Sequence, residues 1–404
     1  MSKVIIVGAG ASGVMASILL KRKGHEVLVF ERNEKPMKKI YATGNGRCNF
    51  TNRNIEFSNY HGKNPKFVMS AIKSFGYDEV IDFFNDIGIK ELELENGKIY
   101  PMSLQASSVV KQMTLEAEKL GVKFKYNSYI KMLDFKNKPK AILYNNEEFE
   151  GDYIIVATGG KAMTKSGSDG NGYLLLEKIG HSIISTHPGI VQLKLENNEF
   201  KKINGTKIPG YIYLMNKNKK TMEQFSDILF TDYGISGPGI LQISGEAIRK
   251  LKANKDVYIS VDLLPYLKED ELYSYLKSNF EKNSYKKLSQ ALVGTINDKV
   301  ISSLIEYLNL EDIVVGNLSK EIIFEISKTI KDLRLKVTGY KSEKDGQVTC
   351  GGISTKEIDP RTMKSKIQDK LYIIGEIMDI DGDCGGYNLH WAWASANACA
   401  KDIV

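Results

Sequence analysis

The order of apolar and polar positions in the first thirty residues predicts a strand, a helix and a second strand. Residues 4–7 form a short β-branched run of the kind found in buried strands. Residues 11–23 have helical length and end in cations that suit the carboxyl end of a helix dipole, with Gly24 placed as a C-cap. Residues 26–30 form a second apolar run. The pattern therefore predicts a βαβ unit.

The remaining pattern divides the chain into regions of different texture. Up to residue 189, helical spacing alternates with strand-like runs, at residues 68–87, 104–120, 122–135, 140–149 and 153–157. Beyond residue 189, short alternating segments predict a small β-barrel or sheet, at residues 190–196, 210–215, 226–231 and 256–262. A helical stretch, two strands and an alanine-rich helix follow, at residues 267–332, 333–338, 371–374 and 387–400.

The turn between the first strand and the first helix carries a dinucleotide-binding pattern. Gly8, Gly10 and Gly13 fit G-x-G-x-x-G, in which the glycines permit a tight turn, close approach of a pyrophosphate and helix–strand packing. Glu31 ends the next strand 18 residues after Gly13, where an acidic side chain holds ribose hydroxyls. Because Glu31 would repel a 2′-phosphate, we expect FAD or NAD rather than NADP. A structural glycine turn with a surface glutamate is the alternative interpretation.

Composition narrows the classes of protein. The 404 residues suffice for two or three domains, and four cysteines exclude a disulfide scaffold and suit a reducing compartment. The formal charge is +7, but only seven of the 56 basic residues are arginine, so we expect no nucleic-acid partner. Residues 4–20 are apolar but interrupted by glycine and serine. We therefore predict a cytoplasmic protein without a signal peptide or membrane anchor.

Seven motifs are distributed over nearly the whole chain, at residues 8–13, 42–52, 157–160, 230–238, 349–353, 375–382 and 385–389. Together they resemble the HI0933-type family of FAD-dependent oxidoreductases. The resemblance implies an α/β fold: a Rossmann-type FAD-binding domain of two-dinucleotide-domain ancestry with an inserted domain that combines a β-barrel-like part and helices. We expect the FAD-binding domain to comprise residues 1–189 and 344–404, and the inserted domain residues 190–343.

The motifs also indicate which residues contact a non-covalently bound FAD. Gly44 and Gly46 permit positive φ, so their segment can form an anion-binding nest. The start of the last helix would direct its N–H groups toward the flavin and stabilise the reduced, anionic ring. The predicted cofactor residues are Gly8, Gly10, Ala11, Ser12, Gly13, Glu31, Arg32, Lys39, Asn45, Gly46, Arg47, Cys48, Ala157, Thr158, Gly159, Gly375, Glu376, Asp381, Gly386, Tyr387, Asn388 and Leu389.

Cysteine and histidine add no further site. Cys48, Cys350 and Cys384 lie in family motifs but lack C-x-x-C spacing, so a flavin-linked dithiol is not indicated. The five histidines are scattered and provide no metal-ligand pair, so we expect no metal. The sequence assigns no catalytic residue and leaves the oligomeric state open.

The substrate is expected between the flavin and the inserted domain, near residues 230–238, with Tyr233 and Ser236 as polar contacts. No second G-x-G-x-x-G is present, so NAD(P)H would dock transiently as electron donor. A roomy, partly apolar enclosure favours reduction of a small or planar organic substrate. A flavin oxidase of a small amine such as aminoacetone, which would produce hydrogen peroxide, is one alternative. A non-enzymatic or RNA-linked flavoprotein is the other alternative. The resemblance does not decide between reductase and oxidase, because family members have been assigned to bile-acid enone reduction and to aminoacetone oxidation.

Overall fold

The structure, a computed structural model, describes residues 1–197 and 199–404. The strands in chain order are β1 (Lys3–Val7), β2 (Glu26–Phe30), β3 (Thr51–Asn52), β4 (Tyr60–His61), β5 (Glu91–Leu94), β6 (Lys98–Pro101), β7 (Lys123–Lys125), β8 (Ile130–Asp134), β9 (Lys140–Leu143), β10 (Glu148–Glu150), β11 (Tyr153–Val156), β12 (Ile183–Gly189), β13 (Leu193–Leu195), β14 (Lys207–Asn216), β15 (Lys219–Thr231), β16 (Gly234–Ser236), β17 (Val257–Asp262), β18 (Leu333–Tyr340), β19 (Val348–Ile353), β20 (Leu371–Ile373) and β21 (Asp381–Gly382).

The α-helices are α1 (Ala11–Arg22), α2 (Met69–Ser74), α3 (Tyr77–Asp86), α4 (Ala106–Lys119), α5 (Asn171–Glu177), α6 (Pro238–Lys252), α7 (Glu269–Lys282), α8 (Leu288–Leu292), α9 (Asp298–Tyr307), α10 (Lys320–Lys331) and α11 (Tyr387–Asp402). Contacts divide the chain into two compact units. The first is Met1–Pro188 with Gly346–Val404, and the second is Gly189–Asp345. The predicted domain boundaries, after residues 189 and 343, stay a prediction.

The first unit is built on a five-stranded parallel sheet in the order β20–β11–β1–β2–β7. The central strand β1 pairs Val4 with Tyr153 on one side and with Val27 on the other. Because β1 is covered on both faces, its side chains form a continuous apolar run rather than an alternating one. Antiparallel ladders extend this unit, in the orders β10–β9–β8, β3–β6–β5 and β21–β4, and β12 lies beside β19. The Rossmann-type prediction is confirmed.

The second unit contains a closed six-stranded barrel in the order β13–β16–β15–β14–β17–β18, with every described pair antiparallel. Its longest element is the β14–β15 hairpin, in which Tyr211 faces Phe225. Phe230, Ile259 and Leu335 are fully buried in a separate core shared with the helices of this unit. The prediction of an inserted barrel with helices is therefore confirmed.

One helical prediction was wrong in detail, and one helix was missed. The helix expected over residues 68–87 is two helices, because Phe75 leaves the helical region and Gly76 is the N-cap of α3. The Gly76 N–H donates to the Glu79 side chain at 2.9 Å, which caps that new start. The helix α6 was missed entirely: Pro238 opens it at a position where proline is favoured, behind a glycine-rich turn.

Within residues 1–197 and 199–404, no helix is both long enough and apolar enough to cross a bilayer. Within the same described residues, no group of three or more histidine, cysteine or carboxylate side chains is arranged to bind a metal ion.

Candidate cofactor site

A cleft opens at the carboxyl ends of β1, β2 and β11 in the first unit, the edge at which parallel sheets bind ligands. Its empty volume, with adjoining solvent, is about 1180 Å³. Thirteen predicted cofactor residues line it: Gly8, Gly10, Ala11, Ser12, Glu31, Arg32, Lys39, Ala157, Thr158, Gly159, Glu376, Asn388 and Leu389. The structure thus brings together residues that are far apart in the sequence.

Three glycines shape the floor of the cleft. Gly8 has a φ of +104°, and a Cβ there would lie 2.6 Å from the carbonyl oxygen of Ala157. A Cβ on Gly13 would lie 2.0 Å from the carbonyl oxygen of Gly8, well inside van der Waals contact. A Cβ on Gly10 would meet only the Ala157 oxygen, at 3.8 Å. Gly8 and Gly13 therefore hold the turn and helix against the sheet, whereas Gly10 keeps the approach open.

The start of α1 is suited to an anion. Gly10 precedes this helix and provides no side-chain cap, and its first turn contains no acidic residue. The first N–H groups of a helix lack partners within the helix and carry a partial positive charge. Glycine at the cap lets a phosphate approach these donors directly. The donor set therefore fits the pyrophosphate of a dinucleotide.

Glu31 lies at the end of β2, buried and oriented by the backbone. Its Oε2 accepts a hydrogen bond from the Ala9 N–H at 2.9 Å, and its Oε1 accepts from the Asn33 N–H and side-chain amide, both at 2.8 Å. A carboxylate offers about four lone-pair positions, so these three bonds leave acceptor capacity for a ribose hydroxyl. This geometry fits the role predicted for Glu31.

Arg32 belongs to a cluster at the rim of the cleft. Its guanidinium forms an ion pair with Asp169 and lies 4.8 Å from the ring centroid of Tyr129. The Tyr129 hydroxyl donates to Asp169 Oδ2 at 2.8 Å. Burial, with help from the bond to Asp169, raises the pKa of Tyr129 to about 12. The phenol therefore stays protonated at neutral pH, and the cluster connects three separate segments.

Lys39 and Glu376 form an ion pair between the N-terminal and C-terminal segments of this unit. Lys39 Nζ lies 2.8 Å from Glu376 Oε1 and 2.7 Å from Oε2. Glu376 Oε1 also accepts the Thr349 N–H at 2.8 Å. Both charged side chains are about one-fifth exposed. The pair thus neutralises two charges in the cleft and holds the segments together.

The last helix, α11, contributes Asn388, Leu389 and Ala392 to the lining. Asn388 is fixed by two bonds to Gly382, accepting the N–H at 2.8 Å and donating to the carbonyl at 2.7 Å. Gly386 precedes the helix with a φ of +100°, and a Cβ there would lie 2.3 Å from the Thr51 carbonyl oxygen. The helix start is therefore rigidly positioned beside the cleft.

Nine predicted cofactor residues lie outside the cleft lining, and several have packing roles. A Cβ on Gly375 would lie 2.5 Å from the Ser12 hydroxyl, so this glycine lets its segment pack on α1. Arg47 stacks on Tyr100 at 5.0 Å, and burial raises the pKa of Cys48 to about 12, which keeps the thiol protonated. The nine are Gly13, Asn45, Gly46, Arg47, Cys48, Gly375, Asp381, Gly386 and Tyr387. Contact of these nine with cofactor stays a prediction.

Several lining residues carried no signal that sequence reasoning used. The sequence predicts a flexible loop over residues 167–172, with a rim beside the flavin as its functional interpretation, and this loop contributes Gly167, Ser168, Asp169 and Asn171 to the lining. Ser128, Tyr129 and Gln347 were not expected at all. Tyr129 precedes a strand, and Gln347 lies where the chain re-enters the first unit. Only the folded chain places such residues beside a glycine turn more than a hundred positions away.

The predicted substrate contacts Tyr233 and Ser236 lie in the second unit, at the short strand β16 and the turn before it. Both are partly exposed, and Lys341 Nζ lies 5.1 Å from the Tyr233 ring centroid. The Gly234 N–H donates to the Thr231 hydroxyl at 3.2 Å, which fixes the turn. The substrate role of Tyr233 and Ser236 stays a prediction.

Comparison with known proteins gives consistent matches over the full length. The family model described as "HI0933-like protein Rossmann domain" matches residues 2–402. A 3-dehydro-bile acid delta(4,6)-reductase of Clostridium scindens is 34% identical over 98% of this chain and 97% of its own. A ribosomal RNA dihydrouridine synthase of Escherichia coli is 30% identical over 99% of this chain and 97% of its own.

A solved structure shares the fold at low sequence identity. A 3-ketosteroid-delta4-(5alpha)-dehydrogenase from Rhodococcus jostii superimposes with a TM-score of 0.50 and 12% identity, covering all of this chain and 97% of its own. At that identity the likeness concerns architecture alone.

Proposed function

Since the chain belongs to the HI0933-like family of FAD-dependent oxidoreductases, we propose that it reduces a carbon–carbon double bond conjugated to a carbonyl. The substrate is a planar ring, and NADH or NADPH is the electron donor. The chain has a cleft of the dinucleotide-binding type, and the proposal is carried by two relatives that align with its full length. Their names describe reduction of a bile-acid double bond and formation of dihydrouridine.

The two names share one chemistry. A 3-dehydro bile acid with double bonds at positions 4 and 6 is a conjugated ketone. Uridine becomes dihydrouridine when its C5–C6 bond, conjugated to the C4 carbonyl, is saturated. In both cases the acceptor takes up a hydride and a proton, and NAD(P)H can supply the electron pair through a flavin. A flavoenzyme of this type needs a place for FAD and access to a flat, electron-poor ring.

The cleft residues suit the two ends of FAD differently. We place the pyrophosphate at the start of α1 and a ribose at Glu31, where donors and acceptor are already oriented. When bound, FAD supplies the hydride-carrying ring. The start of α11, which carries a partial positive charge, would favour the negative charge that such a ring gains on reduction. Asn388 keeps that helix start in position through its bonds to Gly382.

The amine-oxidase alternative is less well supported by the charges in the cleft. Binding of a cationic amine favours an unpaired carboxylate. The acidic side chains among the described lining residues are already engaged: Glu31 by backbone and amide donors, Asp169 by Arg32, and Glu376 by Lys39. At Asp169 and Glu376 a small amine would have to displace an existing cation, and at Glu31 it would compete with the ribose that we place there.

Uridine within ribosomal RNA is a second candidate substrate, which revises the expectation that nucleic acid is not a partner. The relative named as a ribosomal RNA dihydrouridine synthase aligns over 99% of this chain. Arginine is scarce in this chain, but lysine also neutralises phosphate as a point charge. The free small molecule and the RNA share the same reacting group, so experiment must separate them.

Anaerobic stopped-flow absorbance of the flavin tests the proposal. We expect NADH or NADPH to bleach the oxidised flavin, and a conjugated 3-oxo steroid or transcribed ribosomal RNA to restore it. Recovery with only the steroid identifies the free ring as substrate, and recovery with only RNA identifies uridine. Bleaching by aminoacetone but by neither nicotinamide would overturn the proposal.

Tyr233→Phe and Ser236→Ala should raise KM for the acceptor if these side chains contact it.

A further inference from the structure

The β14–β15 hairpin carries aromatic side chains on the outside of the barrel. Tyr211 and Phe225 face each other across the two strands, with ring centroids 5.0 Å apart. Tyr213 lies 6.1 Å from Tyr211, with ring planes 19° apart. Phe225 is 53% exposed, whereas Tyr213 is largely buried beneath its neighbours. The hairpin therefore presents two aromatic side chains to solvent, the exposed Phe225 and the partly exposed Tyr211.

Lysines continue this surface toward the hairpin turn. Lys217, Lys219 and Lys220 are exposed, and Lys220 Nζ lies 3.5 Å from the Tyr213 ring centroid. Among the residues that the structure describes, none of the three forms an ion pair with a carboxylate. Arg334 of β18 donates to the Asn218 side-chain oxygen at 2.9 Å and holds the turn. Three cations without acidic partners thus lie beside the aromatic rings.

Nearby carboxylates only partly offset this charge. Asp227 pairs with Lys207 at 2.8 Å, and Asp262, opposite Tyr211 on β17, pairs with Lys331 at 2.7 Å. Glu223 faces Tyr213 across the hairpin and has no cationic partner within the described part of the chain. The face is therefore positively charged toward the turn, with one unneutralised carboxylate near its centre.

We propose that this aromatic–lysine surface, comprising Tyr211, Tyr213, Phe225, Lys217, Lys219 and Lys220, binds single-stranded RNA. Bases stack on Phe225 and Tyr211, and phosphates contact the lysines. Exposed aromatic rings beside unpaired cations suit a ligand with both flat faces and repeated negative charge. A duplex hides its base faces, so the surface favours unpaired nucleotides. The inference rests on the proposed reduction of uridine in ribosomal RNA.

The test measures binding of the FAD-loaded, full-length protein to a fluorescently labelled oligouridylate by anisotropy at several salt concentrations. The triple variant Lys217→Gln, Lys219→Gln, Lys220→Gln should bind more weakly, and its salt slope should fall by about 2, since each phosphate contact on single strands contributes about 0.7. Phe225→Ala should weaken binding by roughly 5- to 100-fold through lost stacking. Glu223→Gln removes a repelling charge and should tighten binding.

A matched control separates this surface from overall charge. Lys282→Gln, Lys299→Gln, Lys328→Gln makes the same change in net charge at exposed positions of helices in the same unit. We expect it to leave the affinity within about twofold of the wild type. Equal weakening by both triple variants would mean diffuse electrostatic binding and would overturn the proposal.

Two further outcomes keep the inference distinct from the function on which it rests. If the wild type does not bind the oligouridylate while NAD(P)H still bleaches its flavin and an enone restores it, the surface assignment fails and the reductase stands. If Phe225→Ala instead dissociates an oligomer in analytical ultracentrifugation and leaves RNA binding unchanged, the surface is a contact between protein chains and the inference is wrong. Failure of bleaching itself would count against the proposed function.

Discussion

In and beneath the cofactor cleft of the first unit, Lys39 is ion-paired and Gly8 and Gly13 have no room for a Cβ. On the barrel hairpin of the second unit, by contrast, Phe225 is exposed and three lysines lack acidic partners among the described residues. Gly13 and Lys39 represent the first region, and Phe225 and Lys220 the second. At Gly8 and Gly13, one added atom collides with backbone. On the hairpin, the same change touches mainly solvent. Substitutions in the cleft should therefore act on folding and cofactor retention, and those on the hairpin on an external partner.

The largest effect is expected at Gly13. Gly13→Val places a Cβ 2.0 Å from the Gly8 carbonyl oxygen, so α1 cannot stay packed on β1. We expect a loss of more than about 4 kcal/mol in stability and of bound FAD, measured by yield, thermal unfolding and flavin absorbance.

Gly10→Ala is the matched control, because its Cβ meets nothing closer than 3.8 Å and its φ of −77° suits alanine. It should fold normally but bind FAD more weakly, since the methyl group occupies the approach of the pyrophosphate. A folded Gly13→Val protein with full flavin content would contradict the packing role of this glycine.

The next effect concerns pH and His390, which is fully buried on α11 with its Nδ1 2.8 Å from the Thr51 hydroxyl. Burial lowers the pKa of His390 to about 3. The unfolded chain therefore takes up this proton below about pH 6.5 while the folded chain does not, so stability falls as the pH decreases toward 3. Between pH 6.5 and 4.5 this amounts to about 2–3 kcal/mol.

The variant His390→Gln removes this titration and can keep a hydrogen bond to Thr51. Its melting temperature, followed by release of flavin fluorescence, should depend less steeply on acid pH than that of the wild type. Because all other titrating groups are shared, the difference between the two curves isolates His390. Parallel curves would show that its pKa is not lowered by burial.

A smaller effect is expected at the ion pair of Lys39 and Glu376. Glu376→Gln keeps the shape of the side chain but leaves Lys39 without its counter-charge, which should cost about 1–2 kcal/mol and speed FAD dissociation. A double-mutant cycle with Lys39→Met isolates the coupling between the two side chains. A coupling near zero would mean that the pair does not hold the two segments together.

The smallest effect on the protein itself is expected on the hairpin. Phe225→Ser replaces a side chain that is 53% exposed and that contacts Tyr211 across the strands, so stability should fall by only about 1 kcal/mol and FAD content not at all. Thermal unfolding and the ratio of flavin to protein absorbance measure both. A large loss of stability would erase the contrast between the two regions.

Local spacing was enough to predict much of the cofactor region. The glycines at positions 8, 10 and 13 and the acid at position 31 are separated by one strand and one helix, so their geometry follows from the βαβ unit alone. Tyr129 and Asp169, by contrast, reach Arg32 only through tertiary packing. No periodicity in the sequence links these three positions.

The two helical errors have specific physical causes. The break at Gly76 had a local signal, since Glu79 follows at the spacing of a capping box, but the apolar periodicity continues across it. The helix α6 begins at Pro238, directly after Gly237, and this Gly-Pro pair resembles a turn until the buried face of the helix is counted. Barrel closure depends on pairing between β13 and β18, more than a hundred residues apart, which alternation within one strand cannot specify.

The central claim is the direction of electron flow, and the most direct measurement is product stoichiometry in an anaerobic reaction of the FAD-loaded enzyme with NAD(P)H and an acceptor. A conjugated 3-oxo steroid and transcribed ribosomal RNA are assayed separately by mass spectrometry. The account predicts that one acceptor gains two hydrogen atoms for each NAD(P)H consumed. An unchanged mass of both acceptors, with aminoacetone consumed in air as hydrogen peroxide forms, would contradict it.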